Sequence, residues 1–204
     1  MKISRRSLGQ GVAAAAGGLA LGGIGAGPVY AQRSANTLRV AFRDAVPNID
    51  PYFNSQRTGI IIAHQAMDGL VHRDPDTFKN VPALATEWAW QGNLAIDFKI
   101  RPGVKFHDGS DFGPDDVVYT MNRIAQLGGR LSTPGNYAWI EGAEKLDANT
   151  VRVKMKRPTP AALDYLAMVT PIWPMAYRER VGDEGYARMP ISTGPSVDNT
   201  WPHQ

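Results

Sequence analysis

Four histidines, His64, His72, His107 and His203, are the only imidazoles in the chain, and none stands at a metal-ligand spacing. His64-Gln65-Ala66-Met67-Asp68 lacks the Glu and the second His that a metalloprotease helix sets one turn apart. His64 is therefore read as a helix-surface or boundary residue. Carboxylates gather at Asp108, Asp111, Asp115 and Asp116. A calcium loop needs ligands at alternate positions, a central Gly and a terminal Glu. Here the spacing differs and Pro114 intrudes, so a turn followed by a helix N-terminus accounts for all four. Asp111-Phe112-Gly113 spells the magnesium triplet of kinases without the catalytic and phosphate loops that give it meaning. No Gly-x-Ser-x-Gly elbow and no phosphate loop ending in Lys-Ser/Thr occurs, and the absence of cysteine removes thiolate nucleophiles, disulfides and Cys-based metal sites. No catalytic residue, metal site or cofactor site is expected, and the chain is not read as an enzyme.

The aromatic residues Trp88, Trp90, Tyr137, Trp139, Tyr165 and Trp173 have two uses. They fill a core, where each ring buries a large area, or a few of them line a ligand cleft, where apolar walls surround sparse polar groups. Tyr137-Ala138-Trp139, next to the Pro134-Gly135 turn, is the set expected to be exposed. The formal net charge of +3 has a local source: of 22 Lys and Arg, three (Lys2, Arg5, Arg6) lie in residues 1–31, which hold no acid, and the other 19 balance 19 Asp and Glu. A neutral body gives no reason to expect a nucleic-acid partner. With 43% hydrophobic and 20% charged residues over 204 positions, the composition is that of a globular chain of one domain or slightly more.

Residues 1–31 read as an export signal: a basic head, an apolar stretch over 11–27, and Val29-Tyr30-Ala31 as an A-x-A-like cleavage site. Ser4-Arg5-Arg6-Ser7-Leu8-Gly9 is similar to a twin-arginine motif, with Arg5 and Arg6 the pair read by a receptor. Seven of the 17 residues over 11–27 are Gly, too weak a stretch for a membrane anchor, which needs roughly 20 strongly apolar residues. Cleavage near Ala31, with no Cys to carry a lipid, predicts a free periplasmic protein.

The elements follow from periodicity. Residues 37–43 alternate and predict a strand, and the segment 44–53, broken by Pro47 and Pro51, is irregular. Apolar residues at helical spacing predict a helix over 56–70. A short apolar element follows at 84–90, then a half-buried strand at 94–101 (Leu94, Ile96, Phe98, Ile100) closed by Pro102-Gly103. The clearest helix is 113–127, with Pro114 at its first position, Asp115 and Asp116 at its positive end and Gly128-Gly129 as its stop. A strand over 150–156 and a helix over 160–169 complete a mixed α/β or α+β body, with one strand pair expected as a hairpin.

Leu84-Ala85-Thr86-Glu87-Trp88, Phe98-Lys99-Ile100-Arg101-Pro102-Gly103-Val104-Lys105-Phe106-His107-Asp108-Gly109-Ser110 and Asp115-Asp116-Val117-Val118-Tyr119 together resemble the signature of family 5 extracellular solute-binding proteins, the peptide-, dipeptide- and nickel-type receptors of ABC importers. Asn48-Ile49-Asp50-Pro51, Gly69-Leu70-Val71, and Val151–Lys156 followed by Arg157-Pro158-Thr159-Pro160 resemble further family segments in the same order, so the likeness runs from about residue 37 to 195. The signature residues (Leu84, Ala85, Glu87, Trp88, Phe98, Arg101, Gly103, Val104, Phe106, Asp108, Gly109, Asp116, Val117) mark a fold rather than a chemistry. Phe106–Asp108 is expected as a second short strand.

The resemblance implies a type II periplasmic-binding-protein-like fold, first lobe only and incomplete. The domain organisation it implies is a signal at 1–31, the N-terminal part of the family domain at 32–195, and an unmatched tail at 196–204. It implies a substrate-binding component of an ABC importer that captures peptides or similar small solutes and delivers them to a membrane permease, monomeric when full length, with no cofactor. Asn54, Ser55, Gln56 and Arg57 would face the cleft, and the loop of Tyr137 and Trp139 would reach it. Family members are more than twice as long, so the loss of pattern after Pro195 suggests a frameshift, a premature stop or an incomplete gene model. Half a clamshell is expected to bind ligand weakly or not at all. The rival readings are a secreted stand-alone interaction module using an exposed sheet edge, and a secreted hydrolase domain, which no nucleophile motif supports.

Overall fold

In the computed structural model, the described residues are Arg43, Ala45, Val46 and 48–195. The export motif with Arg5 and Arg6, the predicted strand at 37–43 apart from its last residue, and the tail at 196–204 lie outside them. Among the described residues no helix is long and apolar enough to cross a membrane.

Helix α1 spans Arg57–Ala66, shorter than the 56–70 expected, because Met67 turns extended while its N–H closes the helix on Ala63 O. Two short strands, β1 (Val71–Arg73) and β2 (Asn80–Pro82), form an antiparallel hairpin. The main sheet has four antiparallel strands, β3 (Ala85–Gln91), β4 (Ala95–Ile100), β5 (Ile140–Lys145) and β6 (Thr150–Met155), in the order β3-β4-β6-β5. The alternation predicted for β4 and β6 is realised within both strands, except that Leu94, expected on the buried face, precedes β4 and is exposed. Ile96, Phe98, Ile100, Val151, Val153 and Met155 are buried on one face. On the other, Arg152 makes two bonds to Asp97 (2.7 and 2.8 Å) and Lys154 reaches Glu144 at 3.1 Å. That charged face is the ordinary solvated side of a half-buried antiparallel sheet.

Helix α2 (Pro114–Leu127) lays Val117, Thr120, Met121, Ile124 and Leu127 on the buried face. The acidic cluster does the structural work expected of it. Asp108 holds the turn through the Ser110 N–H and hydroxyl, Asp111 pairs with Lys105, and Asp115 pairs with Lys145 at 2.9 Å. Asp116 accepts the Gly113 N–H at 2.9 Å and, from across the body, the Met175 N–H at 2.8 Å. Among the described residues no group of three His, Asp or Glu is placed to hold a metal. The expected strand at Phe106–Asp108 is instead a turn with a single bridge, Lys105 to Asp111; Gly109 returns its N–H to Phe106 O and tightens it too far for a ladder.

Helices α3 (Ala162–Val169) and α4 (Met175–Arg188) close the body. Helix α3 packs under the β1–β2 hairpin, where Asp164 accepts from Arg73 at 2.8 Å and Asn80 at 3.0 Å. Helix α4 is broken at Gly182, whose φ of 72° is non-helical. One main core joins the inner face of the sheet to α2, α3 and the aromatic residues, and a smaller cluster (Ile49, Ala63, Ala66, Met67) lies under α1.

The two sheet edges are treated differently. On β5 the Asn122 side chain, from α2, donates to Ala143 O (3.2 Å) and accepts the Ala143 N–H (2.8 Å), so one amide replaces a neighbouring strand. A Cβ at Gly142, where φ is 154°, would collide with that amide. The outer side of β3 has no strand partner among the described residues, and Trp90 there is 40% exposed.

Candidate functional site

The residues with a case for touching ligand follow a loop organised by one buried carboxylate. Asp50 is 1% exposed. Its backbone carbonyl accepts the N–H groups of Phe53 and Asn54, both at 3.0 Å, and its Oδ1 accepts that of Tyr52 at 3.0 Å. Its Oδ2 accepts the Trp173 indole N–H at 3.0 Å and Arg178 Nη1 at 3.2 Å. Pro51 follows, fixing its own φ, and the loop turns back on itself. Arg178, 2% exposed, lies over the Trp173 ring at 3.7 Å and the Tyr186 ring at 4.7 Å; its Nη2 reaches Asp183 at 2.9 Å, and its Nε has no hydrogen-bond partner among the described residues. Burial pushes the Asp50 carboxyl up to about 6 despite the opposing charge of Arg178. Burial also raises the phenols of Tyr52 and Tyr186 well above their ordinary range, so both stay neutral donors.

From this anchor the chain emerges at Ser55, Gln56 and Arg57, all exposed, and enters α1. Gln56 is the N-cap with no side-chain hydrogen bond to the helix, and the first turn carries no acid. Unpartnered N–H groups at the start of a helix favour a negative group, and Arg57 adds a full positive charge at the same end. Among the described residues Arg57 has no ion-pair partner. The arrangement suits a carboxylate and has no group placed for bond making or breaking.

Three other predicted ligand residues are placed differently. Asn54 is buried: its amide donates to Asn48 O and accepts the Gln56 N–H at 2.8 Å, so it shapes the loop instead of facing outward. The expectation of an exposed Tyr137-Ala138-Trp139 set is corrected, since Tyr137 is 3% and Trp139 1% exposed. The Tyr137 hydroxyl donates to Val169 O at 2.9 Å and the Trp139 indole to Asn136 O at 2.8 Å. Both rings join the core, Tyr137 beside Tyr52 with centroids 5.2 Å apart. The partner of Trp139 is local, but that of Tyr137 lies 32 residues on, in a segment that spacing alone does not bring together with it. Arg178 and Asp50, 128 residues apart, were missed for the same reason: a lone Arg in a charged stretch reads as a surface residue.

The signature residues are structural. Leu84, Ala85, Phe98, Phe106 and Val117 are in the core, with Trp88 and Val104 packed against it. Arg101 holds Ala83 O at 2.8 Å, Gly103 and Gly109 adopt positive φ in their turns, and Glu87 is exposed on β3.

A sequence model described as "Bacterial extracellular solute-binding proteins, family 5 Middle" matches residues 79–202, running into the stretch read above as an unmatched tail. The chain is 30% identical over 182 residues to the glutathione-binding protein GsiB of Pectobacterium atrosepticum, a match covering 86% of this chain and 34% of the relative. Among solved structures it is similar to MoaA of A. tumefaciens R10 in complex with mannopinic acid (27% identity, TM-score 0.67, 76% of this chain and 32% of that one). It is also similar to NikZ of Campylobacter jejuni in complex with Ni(L-His) (25% identity, TM-score 0.66, 78% and 32%). The shared architecture is that of type II periplasmic binding proteins, and the chain spans about a third of the length of the relatives it matches. The chain belongs to the bacterial extracellular solute-binding proteins of family 5.

Proposed function

We propose that this chain contributes one wall of the substrate-binding component of an ABC importer, which captures a small peptide-like solute outside the inner membrane and delivers it to a permease. The carrying observation is the exposed, unneutralised start of α1, with Ser55, Gln56 and Arg57 projecting from a loop fixed by buried Asp50. Glutathione, L-histidine and mannopinic acid, the small molecules named for the three relatives, all carry carboxylates. A cationic helix start can receive such a group through backbone N–H groups and Arg57. Asn54 acts by holding the loop, and Tyr137 and Trp139 act from behind it by packing. In this reading Arg5 and Arg6 direct export, cleavage near Ala31 releases a periplasmic protein without a lipid, and the complete receptor works as a monomer.

A single wall leaves most of an extended ligand in water and forgoes closure, so this chain alone binds weakly. The test is a titration of the 15N-labelled 204-residue chain with glutathione, followed by amide shifts. Weak saturation, with a Kd on the order of millimolar, and shifts centred on residues 55–58 are expected, and Arg57→Ala abolishes them. Shifts centred elsewhere overturn the site, and a micromolar Kd overturns the single-wall reading.

A further inference from the structure

Residues 191–195 form a strap, bent over 193–195, that is held at its start by the Tyr186 hydroxyl, which donates to Ile191 O at 3.0 Å, and beyond it by three further contacts. The Gly194 N–H donates to Ala66 O, at the end of α1, at 3.2 Å, and a Cβ on Gly194 would collide with the backbone of Ala66 and Met67. The Thr193 hydroxyl donates to Asp68 Oδ2 at 3.1 Å. The third contact is His107, in the turn before α2. Its backbone N–H donates to Ser192 O at 2.8 Å, its Nδ1 faces the Ser192 N–H at 3.2 Å, and its Nε2 stands 2.7 Å from Gly194 O.

The last two contacts determine the chemistry of the ring. A carbonyl oxygen only accepts, so Nε2 must carry the hydrogen; a backbone N–H only donates, so Nδ1 must be bare. One neutral tautomer satisfies both partners. The other tautomer satisfies neither, and the cation loses the acceptor for Ser192.

We propose that His107, as its Nε2–H tautomer, is the positioning residue that latches the Ser192–Gly194 strap across the C-terminal end of α1. Holding the strap there fixes the helix whose other end carries Ser55, Gln56 and Arg57. The surroundings fit a latch. Ser192 is 1% exposed and its Oγ has no partner among the described residues, so the imidazole and the backbone contacts hold this position without help from the Ser192 side chain. Asp108, next to the ring, is engaged by Ser110 and does not compete. The importance of the latch for ligand capture rests on the function proposed above, but its existence does not.

The experiment uses the ligand-free 204-residue chain, so a failed glutathione titration leaves it intact. Long-range 1H–15N correlations report the His107 tautomer and hydrogen exchange reports the strap. The wild type is expected to show Nε2–H. In His107→Ala the Ser192, Gly194 and Met67 amides should exchange roughly tenfold faster, while Ala143, held by Asn122 elsewhere in the body, keeps its rate. His107→Gln, which retains a donor near the Nε2 position, should protect Gly194 better than Ser192, and His107→Asn, which retains an acceptor near Nδ1, should do the reverse. Should the alanine variant unfold, Ala143 will exchange faster too, and the Gln and Asn variants then decide. An Nδ1–H tautomer in the wild type, unchanged exchange at Ser192 and Gly194, or the same protection pattern in the Gln and Asn variants overturns the proposal.

Discussion

The guanidinium carbon of Arg178 lies 3.7 Å from the centre of the Trp173 ring, and both side chains donate to the same oxygen, Oδ2 of Asp50. The aromatic rings supply part of what water would otherwise give the cation, and the carboxylates of Asp50 and Asp183 supply more. Helix α4, whose surface is mostly polar, is thereby fastened to the loop that projects Ser55–Arg57.

Arg178→Ala should cost about 3–5 kcal/mol, because it leaves Asp50 buried without its countercharge. Arg178→Lys keeps a charge but loses the flat contact with Trp173, and should cost less, by about the 2 kcal/mol of a desolvated cation–π pair. Urea unfolding midpoints measure both. A loss under about 1 kcal/mol in Arg178→Ala, the range of an exposed pair, would show that the pair does not hold the loop.

The raised pKa of Asp50 makes a signed prediction. The folded carboxyl titrates near 6, above its ordinary 3.8, so the folded state binds the proton more tightly. Its contribution to stability is fully present below 3.8 and is lost as pH rises through 6. A tenfold difference in proton affinity corresponds to about 1.4 kcal/mol. The stability difference between wild type and Asp50→Asn should therefore fall by up to about 3 kcal/mol between those limits. Chemical unfolding of both proteins across that pH range checks the slope. A flat difference would place the carboxyl in its ordinary range.

Asp116 serves the first turn of α2 with one oxygen and the Met175 N–H with the other. Asp116→Ala loses a cap and leaves a partly buried donor at the start of α4, for a combined loss of about 2–3 kcal/mol. Asp116→Asn keeps an acceptor for only one of them and should fall between. Thermal unfolding ranks the three proteins.

Asn122→Ala unplugs β5 and frees a donor and an acceptor at Ala143. The monomer should lose about 1–3 kcal/mol and self-associate at lower concentration, because an exposed strand edge is a pairing template. Sedimentation velocity over a concentration series reads the association.

What the sequence disclosed depended on how local the cause was. Helix α2 carries its own start and stop in Pro114, Asp115, Asp116 and Gly128, and β4 and β6 carry strict alternation, so all three were legible within a residue or so. Strand β5 was not. Its run Ile-Glu-Gly-Ala-Glu-Lys contains a glycine and three exposed charged residues, and it is a strand because β6 pairs with it and Asn122 closes its other side. Helix α4 contains Gly182 and Gly185 and buries only Arg178 and Tyr186, so no apolar stripe announced it. The site divides in the same way. Ser55, Gln56 and Arg57, expected from the motif before them to face outward, are exposed while Asn54 is buried, whereas Asp50–Arg178 and Tyr137–Tyr52 join residues whose contact exists only after folding.

The unequal edges of the sheet have an architectural consequence. With a side-chain amide stationed along β5 and, among the described residues, no strand stationed along β3, the sheet has a closed side and a growing side. A further strand, whether contributed by more of the same polypeptide or by a neighbouring molecule, meets an open edge beside the tryptophan-bearing strand, whereas beside β5 it would have to displace the Asn122 amide from Ala143. One asparagine, and the glycine that makes room for it, thus bias the direction in which this fold can be enlarged.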